Sequence, residues 1–236
     1  MTKIIIASLE KIDIRSTLEN VRVIESVDQL KNAASDGITY VLATSEEQMK
    51  VLESSDHEVY IPAFALTAAH QHMGQYVYFD LESYPFYQKV KEVIGKEQKP
   101  KGVLRFRRIV KHGGKRSLLA GDLYVLSSLL GKPQDVQVKQ TNLSVTPSHT
   151  IIMINFGGGT MAHIEYTVAD QEKIELEWSG ILQILEFDSE QMKPIQSTFQ
   201  LRYSVDAILA SARKVNQELI VQLNDYSKLI NGGAPV

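Results

Sequence analysis

Lys3-Ile4-Ile5-Ile6-Ala7, followed by Ser8-Leu9-Glu10-Lys11-Ile12-Asp13, decides how the fold is read. The first five residues, with Ile4–Ile6 at their centre, read as a buried strand of a parallel sheet. Such a strand commonly opens a dinucleotide-binding domain. The turn after it then carries G-x-G-x-x-G, so that the backbone can approach a pyrophosphate at a helix N-terminus. Here no glycine occurs before Gly37. The side chains of Ser8–Asp13 block that close approach, and Glu10 or Asp13 would repel phosphate. The stretch predicts the fold while lacking the feature that gives the fold its usual chemistry.

Outward from this strand, short apolar runs alternate with amphipathic ones. Val21–Glu25, Ile38–Ala43, Glu58–Ile61 and Tyr76–Phe79 read as strands, with helices over Val27–Ala34 and from Ser45 through Leu52. Gly95-Lys96-Glu97-Gln98-Lys99-Pro100-Lys101-Gly102 reads as a linker. Beyond it the pattern changes to a strand over Val103–Val110 and an apolar helix over Leu118–Leu130, stopped by Gly131 with Pro133 behind it. Consecutive strands follow over Val136–Leu143, Thr150–Phe156, Met161–Thr167, Lys173–Glu177 and Gln183–Phe187, with Gly157-Gly158-Gly159 as a hairpin turn. A single long amphipathic helix is expected over Ser204–Leu229. The expected fold class is α/β plus α+β. A reduced Rossmann-like parallel sheet domain spans 1–98, and an open, mostly antiparallel sheet domain with helices on one face spans 99–236.

The 236 residues are 44% hydrophobic and 22% charged, with a formal charge of −3, ordinary values for a globular chain and no invitation to nucleic acid. The absence of cysteine excludes disulfides, thiolate metal sites and a cysteine nucleophile. The N-terminal apolar run is too short for a signal sequence or a membrane span, so a cytoplasmic protein with neither a nucleic-acid nor a membrane partner is expected. His70-x-His72 and the scattered His57, His112, His149 and His163 lack acidic partners at a metal-binding spacing, and no metal site is expected.

The order of elements in the second half resembles the glucose–fructose oxidoreductase / inositol dehydrogenase (Gfo/Idh/MocA) family. Leu129–Val136, Ile151–Phe156 with Gly159, Glu177–Ile184 and Ala207–Leu219 carry the resemblance, and Val41-Leu42-Ala43-Thr44 is similar to the family's strand beside the nicotinamide. The resemblance implies an NAD(P)-dependent oxidoreductase acting on sugars or polyols, and a homodimer or higher oligomer formed through the C-terminal sheet. Its functional positions transfer poorly. Ile61 stands where the family has a catalytic lysine, Gly121 where it has a histidine, Tyr124 where an acid follows, and Ser117 at an earlier aspartate. If nucleotide binding is kept, Ser8, Glu25 and Thr44 would hold it, Glu25 as the ribose acid if Val21–Glu25 is the second strand.

The expected function is therefore that of an oxidoreductase-family protein with eroded dinucleotide and catalytic motifs and no cofactor. It would bind a small anionic or sugar-like metabolite, or serve as a non-catalytic partner of an active paralogue. The alternatives are an active NAD(P)-dependent enzyme, with Tyr124 as its acid, and a structural oligomerisation module. Arg105, Arg107, Lys115 and Arg116 are the candidate anion-binding residues, since guanidinium groups suit carboxylate or phosphate. Their alternative role is to guard an edge strand against pairing. Trp178 and Tyr166 read as packing a sheet face or a subunit interface rather than binding a sugar.

Overall fold

The computed structural model describes residues 3–6, 11–13, 15–17, 21–23, 39–42, 58–66, 75–97, 99–111, 116–141, 147–190 and 201–231; for 3–6, 21–23, 39–42 and 116 it describes the backbone alone. The expected helices over Val27–Ala34 and Ser45–Leu52 lie outside these residues. The chain divides into two compact units, Met1–Gln88 with Gln200–Leu223, and Lys89–Phe199 with Asn224–Val236. This differs from a single cut at 98/99, because part of the C-terminal segment groups with the N-terminal unit.

The first unit contains β1 (Lys3–Ile6), β2 (Ile12–Asp13), β3 (Val21–Val23), β4 (Thr39–Leu42), β5 (Glu58–Pro62) and β6 (Tyr76–Tyr78), then the short helix α1 (Asp80–Ser83). Helix α2 (Pro85–Ile94) leads out of it. Its sheet has the order β14-β6-β5-β4-β1-β3, where β14 is a late two-residue strand described below. The pairs from β3 to β6 are parallel. Among the described strands only β3 lies beyond β1 on that side, where a full dinucleotide-binding sheet has two. Val21–Val23 thus takes the second-strand position beside β1, and among the described residues the next strand of this sheet, β4, lies on the opposite side of β1. Val59, Tyr60, Ile61, Val77, Tyr78 and Phe79 are buried, as β-branched and aromatic residues in a covered sheet should be.

The second unit is built on β7 (Gly102–Lys111), α3 (Arg116–Leu130), β8 (Asp135–Gln140), β9 (Ser148–Gly157), β10 (Thr160–Ala169), β11 (Lys173–Gly180) and β12 (Ile184–Asp188). Its sheet order is β12-β11-β7-β10-β9-β8, antiparallel throughout except for the parallel β7–β10 pair. Strict alternation puts Leu104, Phe106, Ile152, Ile154, Ile164, Ile174, Leu176 and Trp178 on the buried face. The Gly157–Gly159 turn joins β9 to β10 with all three φ angles positive, at 75°, 64° and 91°, which only glycine adopts without strain.

The expected long C-terminal helix is two helices. After β13 (Tyr203–Ser204), α4 (Val205–Ser211) ends, β14 (Arg213–Lys214) intervenes, and α5 (Gln217–Ile230) begins. The break has a physical cause. Arg213–Lys214 pairs antiparallel with Val77–Tyr76, Val215 N donates to Gln75 O at 2.9 Å, and the Arg213 guanidinium pairs with the buried Glu82, its Nη2 reaching Oε1 at 2.9 Å. Asn216 Oδ1 then accepts from Leu219 N at 2.8 Å, as a cap for α5.

Candidate functional site

The segment after the opening strand is where a phosphate site would be built. Lys11–Asp13 and Arg15–Thr17 are not helical. β2 pairs in parallel with β13, with Ile12 opposite Tyr203 and Asp13 opposite Ser204, and Tyr203 N donates to Lys11 O at 2.7 Å. Asp206, in the first turn of α4, then collects three donors. Thr17 gives N–H at 2.9 Å and its hydroxyl at 2.8 Å, and Ser16 gives its hydroxyl. Burial works against the Asp206 charge, but the Ser16 and Thr17 bonds outweigh it and hold the carboxyl below its ordinary range. Ile12–Asp13 is therefore strand, and Ser16 and Thr17 beyond it are tied to Asp206 of the same unit.

The other first-unit candidate, Ile61, is completely buried in β5 (0% exposed) and has no group for proton transfer. Ser8, Glu25, Thr44 and Lys115 lie outside the described residues, as do His57, His70, His72 and His112. Arg116 opens α3, and its side chain is likewise outside them.

In the second unit, Gly121 is buried on α3 and Tyr124 is half-buried one turn later. Between them sits a group that sequence reasoning missed. Arg108 and Asp122 are each about 1% exposed, and Arg108 Nη1 donates to both Asp122 oxygens at 2.8 and 3.1 Å. Tyr166 OH donates to Asp122 Oδ2 at 3.1 Å. Burial first, then the Asp122 charge, pushes the Tyr166 phenol well above its ordinary value, so it remains a donor. The signal was present: Arg108 has the parity of Leu104 and Phe106, and Asp122 interrupts an apolar helical run.

Arg105 and Arg107 point the other way, onto the open outer face. The structure brings them together but engages both with carboxylates from neighbouring strands. Arg105 Nη1 meets Glu177 at 2.7 Å, while Arg107 meets Glu165 at 2.8 Å and Glu175 at 2.9 Å. Lys173 is ringed by Glu175, Glu190 and Asp188, which raise its pKa. A groove of about 520 Å³ runs over this face. Its lining has five carboxylates, Glu165, Glu175, Glu177, Glu186 and Asp188, against the two guanidinium groups. β7 is a central strand, so the edge-guard role for these arginines is corrected: they belong to a charge lattice on one sheet face. Trp178 and Tyr166 are both buried, as expected of packing residues. Among the described residues no group of three or more His, Asp or Glu is arranged to hold a metal.

No protein-family model and no curated protein matches the chain by sequence. Solved structures do match by shape. A dehydrogenase from Chromobacterium violaceum aligns with 80% of this chain and 72% of its own at 9% identity and a TM-score of 0.54. UDP-N-acetylglucosamine 3-dehydrogenase from Acidithiobacillus ferrooxidans aligns over 100% and 90% at 13% identity and 0.51. The apo scyllo-inositol dehydrogenase of Lactobacillus casei aligns over 98% and 87% at 14% identity and 0.51. The chain has the fold of these dehydrogenases. That is the two-part fold of the glucose–fructose oxidoreductase / inositol dehydrogenase family which the resemblance implied, a Rossmann-like sheet and an open mixed sheet. At such identities the likeness concerns the fold.

Proposed function

We propose that this chain is an oxidoreductase-fold protein that does not bind a dinucleotide and acts in the cytoplasm as a non-catalytic partner, through the outer face of its second sheet. The observation that carries this is the pairing of Ile12–Asp13 with β13 together with the tie of Ser16 and Thr17 to Asp206. A pyrophosphate needs free N–H groups at a helix N-terminus. Here the Thr17 N–H is given to Asp206, which adds negative charge, while Asp13 is engaged by Arg15, its Nε donating at 2.9 and 3.0 Å. The residues present do not fit the phosphates of NAD(P). Ile61 in place of a lysine agrees with a lost proton-transfer site.

The second sheet supplies the candidate contact surface. Ile151, Met153 and Met161 are exposed beside the charge lattice, a mixture suited to a protein partner, either a second copy or an active paralogue. The five carboxylates and the engaged arginines make the groove a poor anion pocket, so a small anionic ligand at Arg105 and Arg107 is the weaker form of the proposal.

Titration with NADH and NADPH followed by thermal shift tests the proposal. No saturable shift at micromolar nucleotide is expected. A saturable shift would overturn it in favour of the alternative, an active NAD(P)-dependent oxidoreductase, which the dehydrogenase names of the similar structures favour. Phosphosugars and carboxylates should then stabilise wild type and Arg105→Ala/Arg107→Ala equally. A shift lost in the variant would restore the anion site.

A further inference from the structure

The turn between β11 and β12, Gly180-Ile181-Leu182-Gln183, holds Ile181 and Leu182 in solvent at 74% and 78% exposure, and Ile184 just after it is 68% exposed. Single exposed aliphatic residues are ordinary, but three within four positions on one turn are an apolar projection. The turn is well fixed. Gly180 N donates to Gln183 O at 3.0 Å, Ile181 N to Lys101 O at 3.2 Å, and Gln183 Nε2 to Val93 O at 3.2 Å. These bonds seat the tip against the 93–101 segment, on which Lys96, Lys99 and Lys101 are all exposed. The strand register places exposed Val103 in one row with Ile184, through Ser179, so Val103 continues the apolar surface.

An aliphatic tip flanked by lysines complements a bilayer that carries negative charge. The tip buries apolar area at the acyl boundary, and each lysine gains attraction at headgroup level that salt screens. The exposed tip residues are aliphatic, with no aromatic ring among them to stack a base, so the chemistry favours lipid over nucleic acid. We propose that the Gly180–Ile184 tip docks on an anionic membrane surface, with Ile181 and Leu182 entering the bilayer and Lys99 and Lys101 on its headgroups. No described helix is long and apolar enough to cross a membrane, so the contact is peripheral. The sequence expectation of no membrane partner rested on the lack of a long apolar run, and a two-residue tip leaves no such run.

The full chain contains no cysteine, so Leu182→Cys accepts a polarity-sensitive dye at the tip alone. The protein is mixed with phosphatidylcholine vesicles, with and without phosphatidylserine, and read by co-sedimentation and dye emission. Binding and a blue shift are expected only with phosphatidylserine. Ile181→Ser/Leu182→Ser should lower partition at least about tenfold, and each of Lys99→Gln and Lys101→Gln about fivefold. Circular dichroism shows that the variants fold. Absence of binding at low salt, or unchanged binding by the folded variants, overturns the proposal. So does a blue shift that grows with protein concentration in the absence of lipid, because a second copy would then cover the tip.

Discussion

Replacing Asp122 by alanine would leave the Arg108 guanidinium buried without its carboxylate and Tyr166 without its acceptor. Losses of this kind cost about 3–5 kcal/mol. We expect Asp122→Ala to lower the urea midpoint of the full chain accordingly, and Tyr166→Phe to cost about 1 kcal/mol. Arg108→Met combined with Asp122→Leu should recover most of the loss, since apolar residues of similar size often replace a buried pair well. A single-variant loss below about 1 kcal/mol would mean that the cluster is solvated. At this scale the sequence was half legible. The alternation of β7 puts Arg105 and Arg107 on one face and Phe106 and Arg108 on the other, and the structure buries the second pair. The alternation did not reveal that Asp122 would answer Arg108, because the two are 14 positions apart and meet only when α3 packs on the sheet.

The elements of the second unit were the most readable, because strict alternation on β7, β9, β10 and β11 has one solution once a face is buried. Glycine punctuation fixed the β9–β10 turn and the end of α3. The break between α4 and α5 was not readable. The apolar stripe continues through Ala212 and Val215, and what interrupts it is the pairing of β14 with β6, a partner 136 residues earlier in the register Arg213↔Val77. Two tests belong at this scale. A Cβ on Gly180 would overlap Trp178 Nε1, and Trp178 is wholly buried. Gly180→Ala should therefore destabilise the protein by about 1–3 kcal/mol and shift the emission of its single tryptophan, whereas an unchanged spectrum would show that the indole yields freely. The outer-face lattice gives a pH signature. The Arg107 hydrogen bond, opposed by burial, holds Glu165 below its ordinary value, and Ser179 first, then Arg105, does the same for Glu177. Carboxylates lowered in the folded state add stability above their unfolded value of about 4.3 and lose it as pH falls through the folded value. Unfolding midpoints should thus fall in acid, and fall less steeply for Arg107→Gln. Equal slopes would remove Arg107 from the linkage. The Arg107–Glu165 pair is partly exposed, so it is worth only about 0.2–1 kcal/mol.

For the molecule as a whole, the fold class was legible from alternation and element order. The missing glycines of the opening stretch carry the proposal that no dinucleotide binds. They could not foretell that Lys11–Thr17 would pair with residues near 203–206, a contact set by the C-terminal segment. Light scattering should find a dimer or higher oligomer if the outer sheet face joins copies, and mixing with an active paralogue should form a heteromer if it joins unlike chains. A monomer in both cases would remove the partner role. The division of the chain also bears on its biosynthesis. β14 completes the edge of the first sheet, β13 holds Lys11–Asp13, and Asp206 holds Ser16 and Thr17, so the N-terminal unit takes its last pieces from residues 203–214. A nascent chain that has exposed only residues 1–88 presents an open sheet edge and an untethered segment. It must wait for residues 89–214 to be translated before it can close, and a ribosome stalled within that stretch should display a chaperone-binding, protease-sensitive N-terminal half.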